Sequence, residues 1–188
     1  LFRSWYVRRE WRDTLVGPDG MNLSTWQLEG LVQVIKDGAH RTVYRIDLPQ
    51  GAVFVKHYRC PAWWDPLRNR WRASASRREF NKAIELQHRG IATIRPLAFG
   101  EQTVLGGVQE NYLITAASPQ SVALNEFVEQ LLNRPYAEAE FIRLRLAEAL
   151  AHLCSELHRS GVYHDDLHAG NILVRCDSCR TGQRSERP

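Results

Sequence analysis

VYHDDLHAGNILV, residues 162–174, is the stretch that decides how the chain is read. His164, Asp165 and Asp166 stand in a row, His168 and Asn171 follow, and the polar run opens directly into Ile172, Leu173 and Val174. Such an order describes a loop that enters a strand. One reading is a polar turn whose Asp and Asn side chains cap nearby backbone groups. The other is chemical. Moving a phosphoryl group requires a carboxylate to accept the proton of the attacking hydroxyl and an oxygen ligand for Mg²⁺ on the phosphates. Asp166 and Asn171, spaced around a short loop, are of the right types for those two tasks, and the spacing favours this second reading.

Working outward, residues 137–159 form the clearest helical pattern. Phe141, Leu144, Ala147, Leu150, Ala151, Cys154 and Leu157 recur at steps of three or four, and Gly161 follows. SVALNEFVEQLL (121–132) reads as a shorter amphipathic helix. Ahead of these lie β-branched and aromatic runs bounded by turn residues: 31–36, 42–48, 52–58, 94–102 and 111–117. The first three, joined by DGAHR and PQG, predict an antiparallel meander. A helix is expected from about Ser74 to His88, ended by Gly90. The expected architecture is α+β in two lobes: a five-stranded antiparallel sheet with one helix, then helices carrying the polar loop. The domain division is 1–27 as an N-terminal extension, 28–117 as the sheet lobe, 118–174 as the start of a helical lobe, and 175–188 as a disordered tail.

The polar loop follows the kinase pattern H-R-D-L-x-x-x-N at four of its five specified places, with Asp165 where the Arg stands. Upstream residues agree in order. Lys56, in AVFVK on the third strand of the meander, occupies the place of the lysine that grips the α- and β-phosphates. The next helix should supply a carboxylate to pair with it. Glu79 is preferred because it lies in the first half of that helix with Phe80 and Ile84 beside it, and Glu85 is the second choice. Taken singly, Lys56 also fits an ordinary strand lysine, and either Glu fits a solvated helix face. No G-x-G-x-x-G is present. Gly38, in the loop between the first two strands, is the one glycine available to turn over phosphates, and a plain hairpin turn explains it equally well. A hinge is expected at 115–119, with Thr115 and Ala117 contacting nucleotide.

Composition narrows the class. The chain has 188 residues, 44% hydrophobic and 24% charged, with a net charge of +4. Those proportions permit a packed core and exclude global disorder. No run approaches the roughly 20 apolar residues of a membrane-spanning helix. The N-terminal LFRSWYVRREWRD has no apolar signal-peptide core. Cys60, Cys154, Cys176 and Cys179 are too few and too scattered for a disulfide framework, which indicates a reducing compartment. Cys176-x-x-Cys179 is half of a zinc site with no second pair. Arg59, Arg68, Arg70, Arg72, Arg77 and Arg78, with Trp63, Trp64 and Trp71, form a basic aromatic segment. It reads either as a dock for anionic lipid or phosphorylated saccharide, or as a solvated cationic segment. No nucleic-acid motif accompanies it.

Residues 54–101, from FVKHYRCPAWWDPLRNRW through SRREFNKAIELQHRGIATIRPLAFGE, and 161–174, GVYHDDLHAGNILV, resemble the lipopolysaccharide kinases, the Kdo and core-heptose kinases of the protein-kinase-like superfamily. The resemblance runs in order over about residues 28–174. It implies a kinase-like fold, ATP and Mg²⁺ as cofactors, and a hydroxyl of a lipid-linked saccharide as acceptor. It also implies action at the cytoplasmic face of the inner membrane; a monomer is expected. It assigns Asp166 as base, Asn171 as Mg²⁺ ligand, Lys56 as phosphate ligand and Glu79 as its partner, with His164 bracing the loop.

Two departures qualify the resemblance. Asp165 replaces the arginine that serves activation-loop control, which argues against phosphorylation-switched signalling. After Asn171 the only Asp is Asp177, too near to be the second metal-binding Asp, and CDSCRTGQRSERP (176–188) lacks the apolar residues of a partner strand. The tail therefore reads as a truncation or a shifted frame. This leaves a non-catalytic kinase-like fragment or pseudokinase as the rival reading, and a protein Ser/Thr kinase or another small-molecule kinase as a third.

Overall fold

Residues Phe2–Val7, taken from sequence as part of an irregular extension, form a strand, β1. The computed structural model describes residues 2–18, 20–59, 73–104, 107–163 and 166–175. Most of the basic aromatic segment (60–72), the Gly106 turn, His164 and Asp165, and the tail 176–188 with Cys176, Asp177 and Cys179 lie outside the described residues. The chain divides into two compact units, Leu1–Ala117 and Ser118–Pro188.

In the first unit, β1 is followed by a 3-10 turn (Arg9–Trp11), α1 (Arg12–Leu15), a two-residue hairpin of β2 (Val16–Gly17) and β3 (Gly20–Met21), and α2 (Leu23–Leu28). The meander comes next: β4 (Val32–Lys36), β5 (Arg41–Leu48) and β6 (Gly51–Arg59). Helix α3 (Ala75–His88), β7 (Pro96–Val104) and β8 (Gly107–Ala116) complete it. The sheet is antiparallel with order β1-β7-β8-β6-β5-β4. It therefore has six strands, not five. The sixth is β1, which pairs β7 with Trp5 opposite Gly100. A side chain at Gly100 would put its Cβ 2.6 Å from the Trp5 indole, so a glycine is what lets the ring lie flat on β7.

Strand periodicity gives the sheet two different faces. Ile46, Val53, Val55 and Ile114 are fully buried on one of them, together with Leu15 and Trp26 from the N-terminal helices. Residues 2–28 thus cover the sheet as part of its lobe, rather than standing apart as an extension. The other face carries Phe54, Lys56 and Tyr58 and receives α3 through Phe80, which packs edge-on against Tyr6 and lies 5.1 Å from Phe99.

Helix α3 begins and ends where its caps place it. The Ser74 hydroxyl accepts from the Arg77 N–H at the N-terminus. At the other end Gly90 takes φ +73°, its N–H donates to the Gln87 carbonyl, and the Ile91 N–H reaches back to Leu86. That double bond pattern is a Schellman cap, with Ile91 and Leu86 both buried beneath it.

The second unit contains β9 (Ser121–Ala123), α4 (Leu124–Leu132), α5 (Tyr136–Arg159), a 3-10 turn (Ala169–Asn171) and β10 (Leu173–Arg175). The helix expected over 121–132 begins three residues late. Ser121–Ala123 instead pair antiparallel with β10, Val122 opposite Val174. The pairing partner lies some fifty positions along the chain, so no local pattern announces it. Helix α5 closes on Gly161 with the same Schellman pattern as α3, Val162 donating to Leu157. Of the apolar stripe expected on α5, Leu157 is buried, whereas Phe141 and Leu144 are 68% and 62% exposed.

Candidate active site

Lys56 sits in the middle of β6, between β5 and β8, with Val43 opposite on one side and Leu113 on the other. Its Nζ lies 2.7 Å from Glu79 Oε2. Glu79 stands at the fifth position of α3, where the helix passes over β6. The alternative carboxylate, Glu85, points elsewhere: it pairs with Lys82 at 3.5 Å and Arg89 at 2.8 Å on the helix surface. Six residues on a helix amount to about 600° of rotation, which carries Glu85 to a different side from Glu79.

The Lys56 and Glu79 side chains are 35% and 40% exposed. A pair this open contributes only about 0–1 kcal/mol to stability. Its importance is geometric, since it fixes an ammonium at a defined point above the sheet. Two arrangements not apparent from sequence hold it there. The first is Tyr58, whose hydroxyl donates to Glu79 Oε1. Burial, reinforced by the Glu79 charge, raises the Tyr58 phenol well above its ordinary range and keeps it a donor.

The second is a buried polar network that seats the N-terminus of α3. Ser74 Oγ donates to Glu101 Oε1 at 2.6 Å, and Arg77 Nη2 to Glu101 Oε2 at 2.7 Å. The Ser76 N–H donates to Asn111 Oδ1 at 3.0 Å. Ser74, Ser76, Glu101 and Asn111 are all buried. These bonds tie the first turn of α3 to β7 and β8, so Glu79 is carried by a helix of fixed position. Arg77, read in sequence as part of a basic patch, instead has a structural partner in Glu101.

The loop containing Gly38 is held by side chains. Arg59 Nη2 donates to the Gly38 carbonyl at 2.9 Å and contacts Asp37 Oδ1 at 3.2 Å. Thr42 Oγ1 donates to the same Asp37 oxygen at 2.6 Å. Hydrogen bonds from Thr42 and Arg59 keep the Asp37 carboxyl below its usual range. Thr115, buried on β8, pairs with Phe54 and so shares the Lys56 face. The Ala117 N–H donates to the Ala52 carbonyl and ends the first unit.

In the second unit, Asn171 Nδ2 donates to both the carbonyl and Oδ2 of Asp166, at 2.9 and 3.0 Å. The loop between them is closed from below by the β9–β10 ribbon, and Leu124 at the start of α4 donates to the Ile172 carbonyl at 2.8 Å. His168 completes the turn. Its Nδ1 accepts from the Gly170 N–H at 3.1 Å, and its Nε2 faces Asp166 Oδ1 at 3.6 Å. His164, expected to brace the loop, lies outside the described residues. Among the described residues no group of three or more His, Cys, Asp or Glu gathers into a metal centre. A carboxylate and an amide oxygen on one loop do suit Mg²⁺, which takes one or two hard oxygen ligands and completes its shell with water and phosphate.

The lipopolysaccharide kinase (Kdo/WaaP) family matches residues 24–185. The chain is 26% identical over 149 residues to the lipopolysaccharide core heptose(I) kinase WaaP of Pseudomonas aeruginosa, across 77% of this chain and 55% of that protein. It thus spans about half the length of this relative. Among solved structures, WaaP in complex with acyl carrier protein superposes with a TM-score of 0.63 at 20% identity, over 93% of this chain and 64% of that one. The mixed α/β fold, with its large antiparallel sheet, is the fold of that kinase. A match reaching from α2 past the Asp166–Asn171 loop makes this chain a member of the lipopolysaccharide kinase (Kdo/WaaP) family.

Proposed function

We propose that the chain carries the nucleotide-binding and catalytic-loop parts of an ATP-dependent kinase that phosphorylates a hydroxyl of a lipopolysaccharide-core-type saccharide. The carrying observation is the Lys56–Glu79 pair on β6 and α3, set within a family match that also includes the Asp166–Asn171 loop. Lys56 would bind the α- and β-phosphates, with Glu79 holding its ammonium in place. Gly38, Thr115 and Ala117 would line the nucleotide. Asp166 would take the proton from the acceptor hydroxyl as that oxygen attacks the γ-phosphorus. Asn171 would offer its amide oxygen to Mg²⁺, because an amide that spends its nitrogen on Asp166 presents its oxygen the other way. Mg²⁺, when bound, neutralises charge on the phosphates.

The curated relative is named for core heptose(I), which makes a heptose of the lipopolysaccharide core the favoured acceptor class. Action at the cytoplasmic face of the inner membrane fits such an acceptor. Among the described residues no helix is long and apolar enough to cross a membrane. The solved neighbour was captured with acyl carrier protein, so a carrier of that kind is a partner to test here.

Thermal-shift titration with ATP, with and without Mg²⁺, tests the reading. A metal-dependent rise in melting temperature supports it, whereas none would favour an inert kinase-like fragment. In a form that turns over, Asp166→Asn should abolish phosphate transfer while ATP still binds, and unchanged turnover would remove Asp166 from the role of base.

A further inference from the structure

Tyr58 lies two residues beyond Lys56 on β6, so both side chains project from the same face of the strand. Lys56 donates to one oxygen of Glu79 and Tyr58 to the other. The carboxylate is gripped at both ends, and both grips come from a single strand. Arg41 stands opposite Tyr58 in the β5–β6 register. The result is a continuous line, Lys56–Glu79–Tyr58, running from β6 to α3 and back to β6. An ion pair as open as Lys56–Glu79 does not by itself hold a helix against a sheet. A hydrogen bond to a charged group is among the stronger kinds.

We propose that Tyr58 is a positioning residue, its hydroxyl latching Glu79 so that the Lys56–Glu79 pair is assembled before nucleotide arrives. This rests on the reading of Lys56 as a phosphate ligand. It also assigns a consequence: the pair is built in, and the helix that carries Glu79 does not have to swing inward to form it. Tyr58 touches no reacting atom and acts only through Glu79.

The test compares the chain with Tyr58→Phe, Glu79→Gln and the double variant. Tyr58→Phe keeps the ring and its packing, and a retained melting temperature confirms the fold. In the absence of nucleotide, the Lys56 ammonium should give a protected ¹⁵N–¹H signal in the parent chain, and its hydrogen exchange should speed up about tenfold in Tyr58→Phe. Calorimetric titration with ATP and Mg²⁺ should show about tenfold weaker binding in Tyr58→Phe, and no further loss when Tyr58→Phe is added to Glu79→Gln. Unchanged ammonium exchange, or additive losses in the double variant, would overturn the proposal. Should no form bind ATP, the kinase reading falls, and the nucleotide-free exchange measurement still decides whether Tyr58 is the latch.

Discussion

Arg77 and Glu101 meet at 2.7 Å, joining the first turn of α3 to β7 through a carboxylate that is 8% exposed. The same carboxylate accepts from Ser74, the residue that caps the helix. A buried acceptor serving two donors cannot be removed cheaply. Glu101→Ala leaves the Ser74 hydroxyl without its acceptor and releases the Arg77 guanidinium, at an expected cost of about 2 kcal/mol. Urea unfolding measures it. A variant within 0.5 kcal/mol of the parent, on the order of a neutral surface change, would show that the network does not seat the helix.

Gly100 and Trp5 make a steric prediction. A Cβ at position 100 would lie 2.6 Å from the indole, closer than packed atoms approach. Gly100→Ala must push Trp5 off β7, and with it the edge strand β1. Overpacking of this kind costs about 1–3 kcal/mol. Adding Trp5→Ala to Gly100→Ala should relieve the clash, so the pair of changes should be less than additive in thermal unfolding.

His57 makes the stability of the sheet depend on pH. Its ring stacks on Tyr112 with centroids 4.4 Å apart, and its Nε2 is buried without a hydrogen bond, Glu110 being 3.5 Å away. Burial lowers its pKa below the ordinary 6.5, with Glu110 opposing in part. The folded chain therefore binds fewer protons at this site than the unfolded chain. The contribution is fully present above pH 6.5 and is lost as pH falls through the lower folded value. Stability should decline from pH 7 toward pH 5, and His57→Gln should flatten that decline. An equally steep decline in the variant would assign the effect to other groups.

Glu79 and Glu85 separate a site role from a surface role. Glu79→Gln removes the charge that orients Lys56 and should weaken ATP·Mg²⁺ binding about tenfold or more. Glu85→Gln breaks only pairs with Lys82 and Arg89 on the helix surface and should leave binding unchanged. Equal effects from the two variants would refute the choice of Glu79.

Each feature that was legible in the chain depended on neighbours a few residues apart. Ser74 and Gly90 marked the ends of α3, and PQG marked the turn between β5 and β6, because caps and turns are local chemistry. Glu79 was separable from Glu85 for the same reason, since rotation along a helix is a matter of counting. Strand β1 was hidden because Trp5 gains its place only against Gly100, almost the whole sheet lobe away. Strand β9 was hidden by its pairing with β10.

By itself, the order of residues determined that a strand lysine, a helix carboxylate and an Asp–Asn loop occur in one chain in that sequence. The tertiary structure alone decided which oxygen each donor reaches. Lys56 and Tyr58 divide the Glu79 carboxylate, Ser74 and Arg77 divide that of Glu101, and Asn171 reaches both the carbonyl and a carboxylate oxygen of Asp166. The physical reason is range. Propensities and caps act within a turn or two, whereas a hydrogen bond between a strand and a helix exists only after pairing register and packing have set the distance to a few tenths of an ångström.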